Sequence, residues 1–176
     1  MHALLRSLSG GDRRSVGESN RAAALILEQP KLIAVLFQGL DSTDPVLRMR
    51  CSDAIEKATA KRPELLAPYK KALMQKYSKI EQQEVRWHVA LLLSRLLLTT
   101  QEATAVVKLL LSFTNDRSSI VRTMTMQALT DVALRSRHLL PEVTEHIQEL
   151  SVIGTPAMKA RSKKLLRALA EALSGR

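Results

Sequence analysis

The stretch Asp44-Pro45-Val46-Leu47-Arg48-Met49-Arg50-Cys51-Ser52-Asp53-Ala54-Ile55 decides the reading of this chain, because variants of it recur downstream. Gln82-Gln83-Glu84-Val85-Arg86-Trp87, Ser118-Ser119-Ile120-Val121-Arg122-Thr123 and Pro156-Ala157-Met158-Lys159 each set an apolar residue directly before a basic one. The basic positions, Arg48, Arg86, Arg122 and Lys159, stand 38, 36 and 37 residues apart. That is the period of a repeat made of two helices, not of a propeller blade or a leucine-rich repeat. Six and seven residues beyond each basic position come Ala54 and Ile55, Leu92 and Leu93, Ala128 and Leu129, and Leu165 and Leu166, so the register holds through four copies.

Working outward, Asp44 is an N-cap and Pro45 a first helical residue, which predicts a helix over 45–60. Lys57, Lys61 and Arg62 crowd its end, where cations suit the helix dipole. Pro63 opens the next helix, and Pro68 predicts a kink or a late start there. Upstream, an Ala-rich helix over 16–28 stops at Pro30 and another runs over 31–40. A short apolar stretch, Ala3-Leu4-Leu5 with Leu8, predicts a brief leading helix before Ser9-Gly10-Gly11-Asp12. Downstream, Val85, Val89, Leu92, Leu93, Leu96 and Leu97 recur every three or four residues over 81–98, an apolar arc wide enough for a central helix. Helices follow over 102–113, 118–135, 138–150 and 156–173, the last opened by Gly154-Thr155-Pro156. Helices of this length joined by short turns must run antiparallel to their neighbours.

Composition agrees. The chain has 176 residues, 45% of them hydrophobic but only 3% aromatic, with Leu, Ala, Val and Met supplying most apolar side chains, so helix formers dominate and strand formers are scarce. The fold class is all-α, read as a single domain over 1–176. Residues 1–12 form a leading helix or flexible segment, and 156–176 form a basic C-terminal capping helix. One cysteine, Cys51, allows no internal disulfide and reads as a small buried hydrophobe in a reducing compartment. No apolar run is long enough to span a membrane, and the first residues lack the apolar core of a secretion signal, so a cytoplasmic location is expected. Net charge is +10, and residues 155–176 carry six Lys or Arg against one Glu, half of that excess.

Asp44-Pro45-Val46-Leu47-Arg48 followed by Ala54-Ile55, and Val121-Arg122 followed by Ala128-Leu129, resemble the second-helix signature of HEAT repeats, within the armadillo-like family of α-solenoids. The resemblance extends over nearly the whole chain and implies a right-handed α-α superhelix of about four to five antiparallel helix pairs. It further implies a concave face lined by the second helices, a surface such proteins use to hold other macromolecules. It implies no chemistry.

Two readings of the basic ladder stand side by side. Arg48, Arg86 and Arg122, with Lys159, would track phosphates along a groove, or would pair with acids such as Asp44, Glu84 and Asp116 and tie the stack together. The second is preferred, which makes the arginines structural. The final helix is the better candidate for nucleic acid, since Lys159, Lys163 and Arg167 form one stripe flanked by Arg161 and Lys164. Its competing reading is a polar cap that keeps the end of the stack soluble. Trp87 beside His88 offers an anchor for a peptide or base, against plain core packing. His138, Glu142 and His146 share one helical stripe, too weak a signal to assign a metal.

No phosphate-cradling glycine loop, paired-cysteine motif or nucleophile-base arrangement with telling context stands in the sequence. The HEAT-like alkylpurine DNA glycosylases use an Asp with nearby Trp residues, but here Trp87 is the single Trp and the residue four further on is Leu91. The expectation is therefore a non-catalytic scaffold or adaptor without cofactor, metal, membrane or small-molecule substrate. It binds another protein on the second-helix face, with Arg50, Trp87, His88 and Thr123 as contacts. Nucleic-acid binding through the last helix and the ladder is the alternative, and a DNA glycosylase a minor one.

Overall fold

The structure is a computed structural model that describes residues 1–12 and 14–175. Those residues form ten α-helices, and no strand occurs among them. They divide into two compact units, Met1–Leu96 and Leu97–Arg176.

The first unit contains α1 (Ala3–Leu8), α2 (Ser19–Glu28), α3 (Ile33–Gly39), α4 (Pro45–Lys61), α5 (Lys70–Gln75) and α6 (Gln83–Arg95). The Asp44 carboxylate accepts the Val46 N–H at 2.8 Å and Pro45 fills the first helical position, so α4 begins where its cap dictates. α4 packs against α1, α2, α3 and α6. Every residue from Met49 to Ile55 is buried as a result, the pattern of a helix covered on all sides. Gly39 makes the α3 approach possible: a methyl group there would collide with Cys51 Sγ and Leu5. Cys51 is fully buried, which pushes its thiol up to about 12.

The second unit contains α7 (Thr100–Phe113), α8 (Ser119–Arg135), α9 (Leu140–Ile153) and α10 (Pro156–Leu173). α8 packs against α7, α9 and α10, and α9 against α10. A reciprocal cap starts α7: the Thr99 hydroxyl accepts the Glu102 N–H at 3.3 Å while the Glu102 carboxylate accepts the Thr99 N–H at 2.8 Å. The Thr155 hydroxyl caps α10 through the Met158 N–H at 3.4 Å and meets the Ser119 hydroxyl at 2.9 Å.

Several boundaries differ from the periodicity, each for a local reason. α2 starts at Ser19, not near residue 16, because Gly17 adopts φ +51° and cannot sit in a right-handed helix. Pro68 lies in a 3₁₀ segment, Pro63–Tyr69, and α5 begins only at Lys70. α6 stops at Arg95 because Leu96 turns extended (ψ 144°). α7 begins before residue 102 because its cap is Thr99. α9 follows a 3₁₀ turn, Arg137–Leu139, and runs on to Ile153.

One regularity runs through both units. Long-range side-chain hydrogen bonds join residues about one repeat period apart: Ser19 to Asp53 (34), Arg48 to Gln82 (34), Ser52 to His88 (36), Ser119 to Thr155 (36) and Arg161 to Gln127 (34). The sequence period is therefore also the separation of the residues that touch.

Candidate functional site

The expected contact residues are mostly inside. Arg50 is 5% exposed, His88 2% and Thr123 8%, so three of the four lie beneath the surface; only Trp87, half-buried, reaches solvent. Arg50 faces the segment between α1 and α2, and His88 faces α4, which is the physical reason they are covered. Arg50 Nη1 donates to the Leu8 and Gly10 carbonyls at 2.9 and 2.6 Å, Nε to Ser15 at 3.2 Å and Nη2 to Asp12 at 3.3 Å. It holds the segment between α1 and α2 against α4. A side chain at Gly17 would place its first carbon 2.8 Å from that guanidinium. Thr123 donates to the Ser119 carbonyl at 2.7 Å within its own helix.

His88 belongs to a buried polar cluster across α2, α4 and α6. Asp53 Oδ2 accepts from the Ser19 hydroxyl and from Lys57 Nζ at 2.6 Å, and Lys57 also donates to Asn20 Oδ1 at 2.6 Å. Asp53 Oδ1 faces His88 Nε2 at 3.4 Å, an electrostatic contact longer than a good hydrogen bond. Burial pushes the Asp53 carboxyl up, but His88, Lys57 and Ser19 outweigh it and hold it at about 2. His88 Nδ1 lies 2.5 Å from the Glu84 carbonyl and must donate there, with the Ser52 hydroxyl 3.2 Å away. The Trp87 ring stacks on the imidazole with centroids 3.4 Å apart.

Ser52, His88 and Asp53 have the residue types of a nucleophilic triad but not its geometry. Ser52 is fully buried, its hydroxyl donates to the Met49 carbonyl at 2.7 Å, and the imidazole nitrogen beside it already serves Glu84. A substrate has no path to that oxygen, and the arrangement ties three helices together.

The ladder is mixed. Arg48 Nε donates to Gln82 Oε1 at 2.8 Å and Nη1 to the Ser42 carbonyl at 2.7 Å, while Gln82 Nε2 donates to the Pro45 carbonyl at 2.8 Å. Its partners are thus an amide and a carbonyl, not Asp44, whose carboxylate caps α4. Arg86 and Arg122 are half-buried, and Arg122 Nε is buried without a hydrogen-bond partner among the described residues. Lys159 is exposed, unlike the three arginines, which are half-buried. Of the remaining α10 cations, Lys163, Lys164 and Arg167 are exposed, Arg161 donates to Gln127 Oε1 at 3.0 Å, and Arg167 pairs with Glu171 at 2.9 Å.

His138 and His146 do not converge on a common point. Nε2 of each meets a threonine hydroxyl, Thr104 at 3.2 Å and Thr114 at 3.1 Å. Among the described residues no three metal-ligating side chains gather, and no helix is long and apolar enough to cross a membrane.

The feature the periodicity did not single out is a groove between α2 and α4. It is lined by Ala23, Ala24, Leu27 and Ala60 with Asn20, Glu56, Lys57 and Lys61, and holds about 360 Å³. Small residues at matching turns of two adjacent helices were its only sequence signal. Beside it, Arg95 of α6 bonds the carboxylate and, at 2.7 Å, the carbonyl of Glu56.

No family model matches this chain, and no curated protein does. Among solved structures, the crystal structure of an engineered protein from the Northeast Structural Genomics Consortium is similar in fold. Its TM-score is 0.67 at 16% identity, covering 96% of this chain and 78% of that one.

Proposed function

We propose that this chain is a HEAT-like α-solenoid, a right-handed superhelix of about four to five antiparallel helix pairs, that acts as a non-catalytic scaffold for another protein. The regular separation of its long-range hydrogen bonds supports the stacked arrangement, since a repeat that touches only its neighbours makes contacts one period away. The observation that carries the binding reading is the groove between α2 and α4. Its floor is aliphatic and made of small side chains, and its rim mixes Lys57, Lys61, Glu56 and Asn20. An apolar floor with a polar rim is how a groove receives the apolar face of a partner helix. Glu56 and Lys57 are held by Arg95 and by Asp53 and Asn20, so the rim is ordered before a partner arrives, which lowers the entropy cost of binding.

Photo-crosslinking from the full chain tests this. A photoreactive side chain replacing Ala60 should give a discrete protein adduct in lysate that the same group at Gln75 on α5 does not. The adduct's protein, made recombinantly, should bind wild type at least tenfold more tightly than Ala24→Glu. Equal adducts at both positions, or unchanged affinity in a folded Ala24→Glu protein, would contradict the reading.

A further inference from the structure

We infer that the outer face of α10 is a sequence-neutral binding surface for the phosphate backbone of duplex DNA. This surface shares no residue with the groove between α2 and α4, so either can fail without the other. Met158, Ser162, Leu165 and Leu169 form the buried stripe of α10. The opposite side exposes Lys159, Lys163, Lys164 and Arg167 among Ala157, Ala160 and Ala170.

The lysine side chains have no acidic partner among the described residues, and Arg167 has only Glu171, in a pair exposed on both sides. Such an exposed pair contributes little and opens readily. Lys159 lies near the positive end of the helix, and its first turn carries no acid. Lys159, Lys163 and Arg167 repel one another at i, i+4 and i+8. Both arrangements work against the isolated helix. A cap required only to be soluble is served as well by mixed charges. Four cations against the single Glu171 on that face are explained by an anion that neutralises them.

The chemistry of the face narrows the ligand. Cations four residues apart are about 6 Å apart along the axis, close to the spacing of successive phosphates, and the alanines between them let a backbone approach. α10 contains no aromatic residue on which an unpaired base would stack, which argues against single strands, and no Asn or Gln to read adenine, while its exposed cations are mostly lysines, point charges without a fixed fork. Its single hydroxyl, Ser162, is buried, so the face offers a ribose 2′-hydroxyl no partner beyond the cations themselves. The contact these cations are suited to is with phosphates.

The test is fluorescence anisotropy of a 20-base-pair DNA duplex with the full chain across salt. Four phosphates neutralised predict a slope of log K against log salt of about −3.6, a loss of roughly 100-fold between 50 and 200 mM. Joint replacement Lys159→Gln, Lys163→Gln and Lys164→Gln should reduce the slope to about −0.9. The corresponding Lys→Arg protein should bind like wild type, which keeps the result readable if the Gln protein misfolds. No binding at 50 mM salt, a slope the Gln substitutions leave unchanged, or tighter binding of a polyglutamate peptide than of the duplex would overturn the inference.

Discussion

Arg50 Nη1 donates to the Gly10 carbonyl at 2.6 Å, and through that contact a residue of α4 holds the segment that leads into α2. The guanidinium is always charged, is buried, and is satisfied by four backbone carbonyls. Truncation would leave those acceptors unpaired, and an unpaired buried polar group is costlier than the net worth of its bond. Arg50→Ala should therefore lower unfolding free energy by about 3 kcal/mol in urea titrations, a loss at the size of a broken buried network. Arg50→Lys should recover only part, since an ammonium cannot reproduce the fork.

Gly17→Ala tests the same clasp from the other side. It introduces both an unfavourable φ and a close approach to Arg50, so about 1–2 kcal/mol should be lost. Gly10→Ala, whose added carbon meets nothing, should cost less because it adds strain without collision. Equal midpoints for the two variants would show that Arg50 does not bear on Gly17.

Asp53 predicts the acid limb. Its carboxyl is held at about 2, below its ordinary 3.8, so its contribution is complete above about pH 4 and is lost as pH falls toward 2. The difference corresponds to about 2 kcal/mol. Urea titrations between pH 6 and pH 2 should show Asp53→Asn with a flatter decline than wild type across that window. An identical decline would mean the cluster does not stabilise the charged carboxylate.

The ladder arginines should differ from one another. Arg48→Met breaks bonds to Gln82 and Ser42 and leaves Gln82 Oε1 without its donor, for a loss of about 1–2 kcal/mol. Arg122→Met removes a buried nitrogen that has no hydrogen-bond partner among the described residues and replaces it with apolar bulk, so it should cost under about 1 kcal/mol. Thermal denaturation of the two variants side by side distinguishes a shared role from separate ones.

The helices were legible because caps and periodicity are local. Asp44-Pro45, Thr155-Pro156 and the apolar spacing around Val85 to Leu93 specify helices that the structure places almost where they were expected. The misjudged starts at α2 and α9 depend on a single left-handed glycine and a 3₁₀ turn, which periodicity does not register. Exposure was harder to read. Arg50 stands two residues after Arg48 and His88 directly after Trp87, each in the first turns of its helix, as a surface contact would, but whether they face water depends on what lies against them. The repeat offset was the available signal: Ser19, Asp53 and His88 are polar residues 34 and 35 positions apart, and a polar set at the repeat period marks an interhelix tie. The groove was least legible because alanines on a helix look the same whether they are covered or open.

The most direct test of the scaffold reading is titration calorimetry of the protein captured at Ala60 against three forms of this chain: wild type, Ala60→Arg, and the triple Lys→Gln variant of α10. The account predicts that Ala60→Arg loses at least tenfold in affinity while the α10 variant binds as wild type. Unchanged binding by a folded Ala60→Arg protein, with binding abolished by the α10 substitutions, would place the partner on the basic helix and contradict the groove.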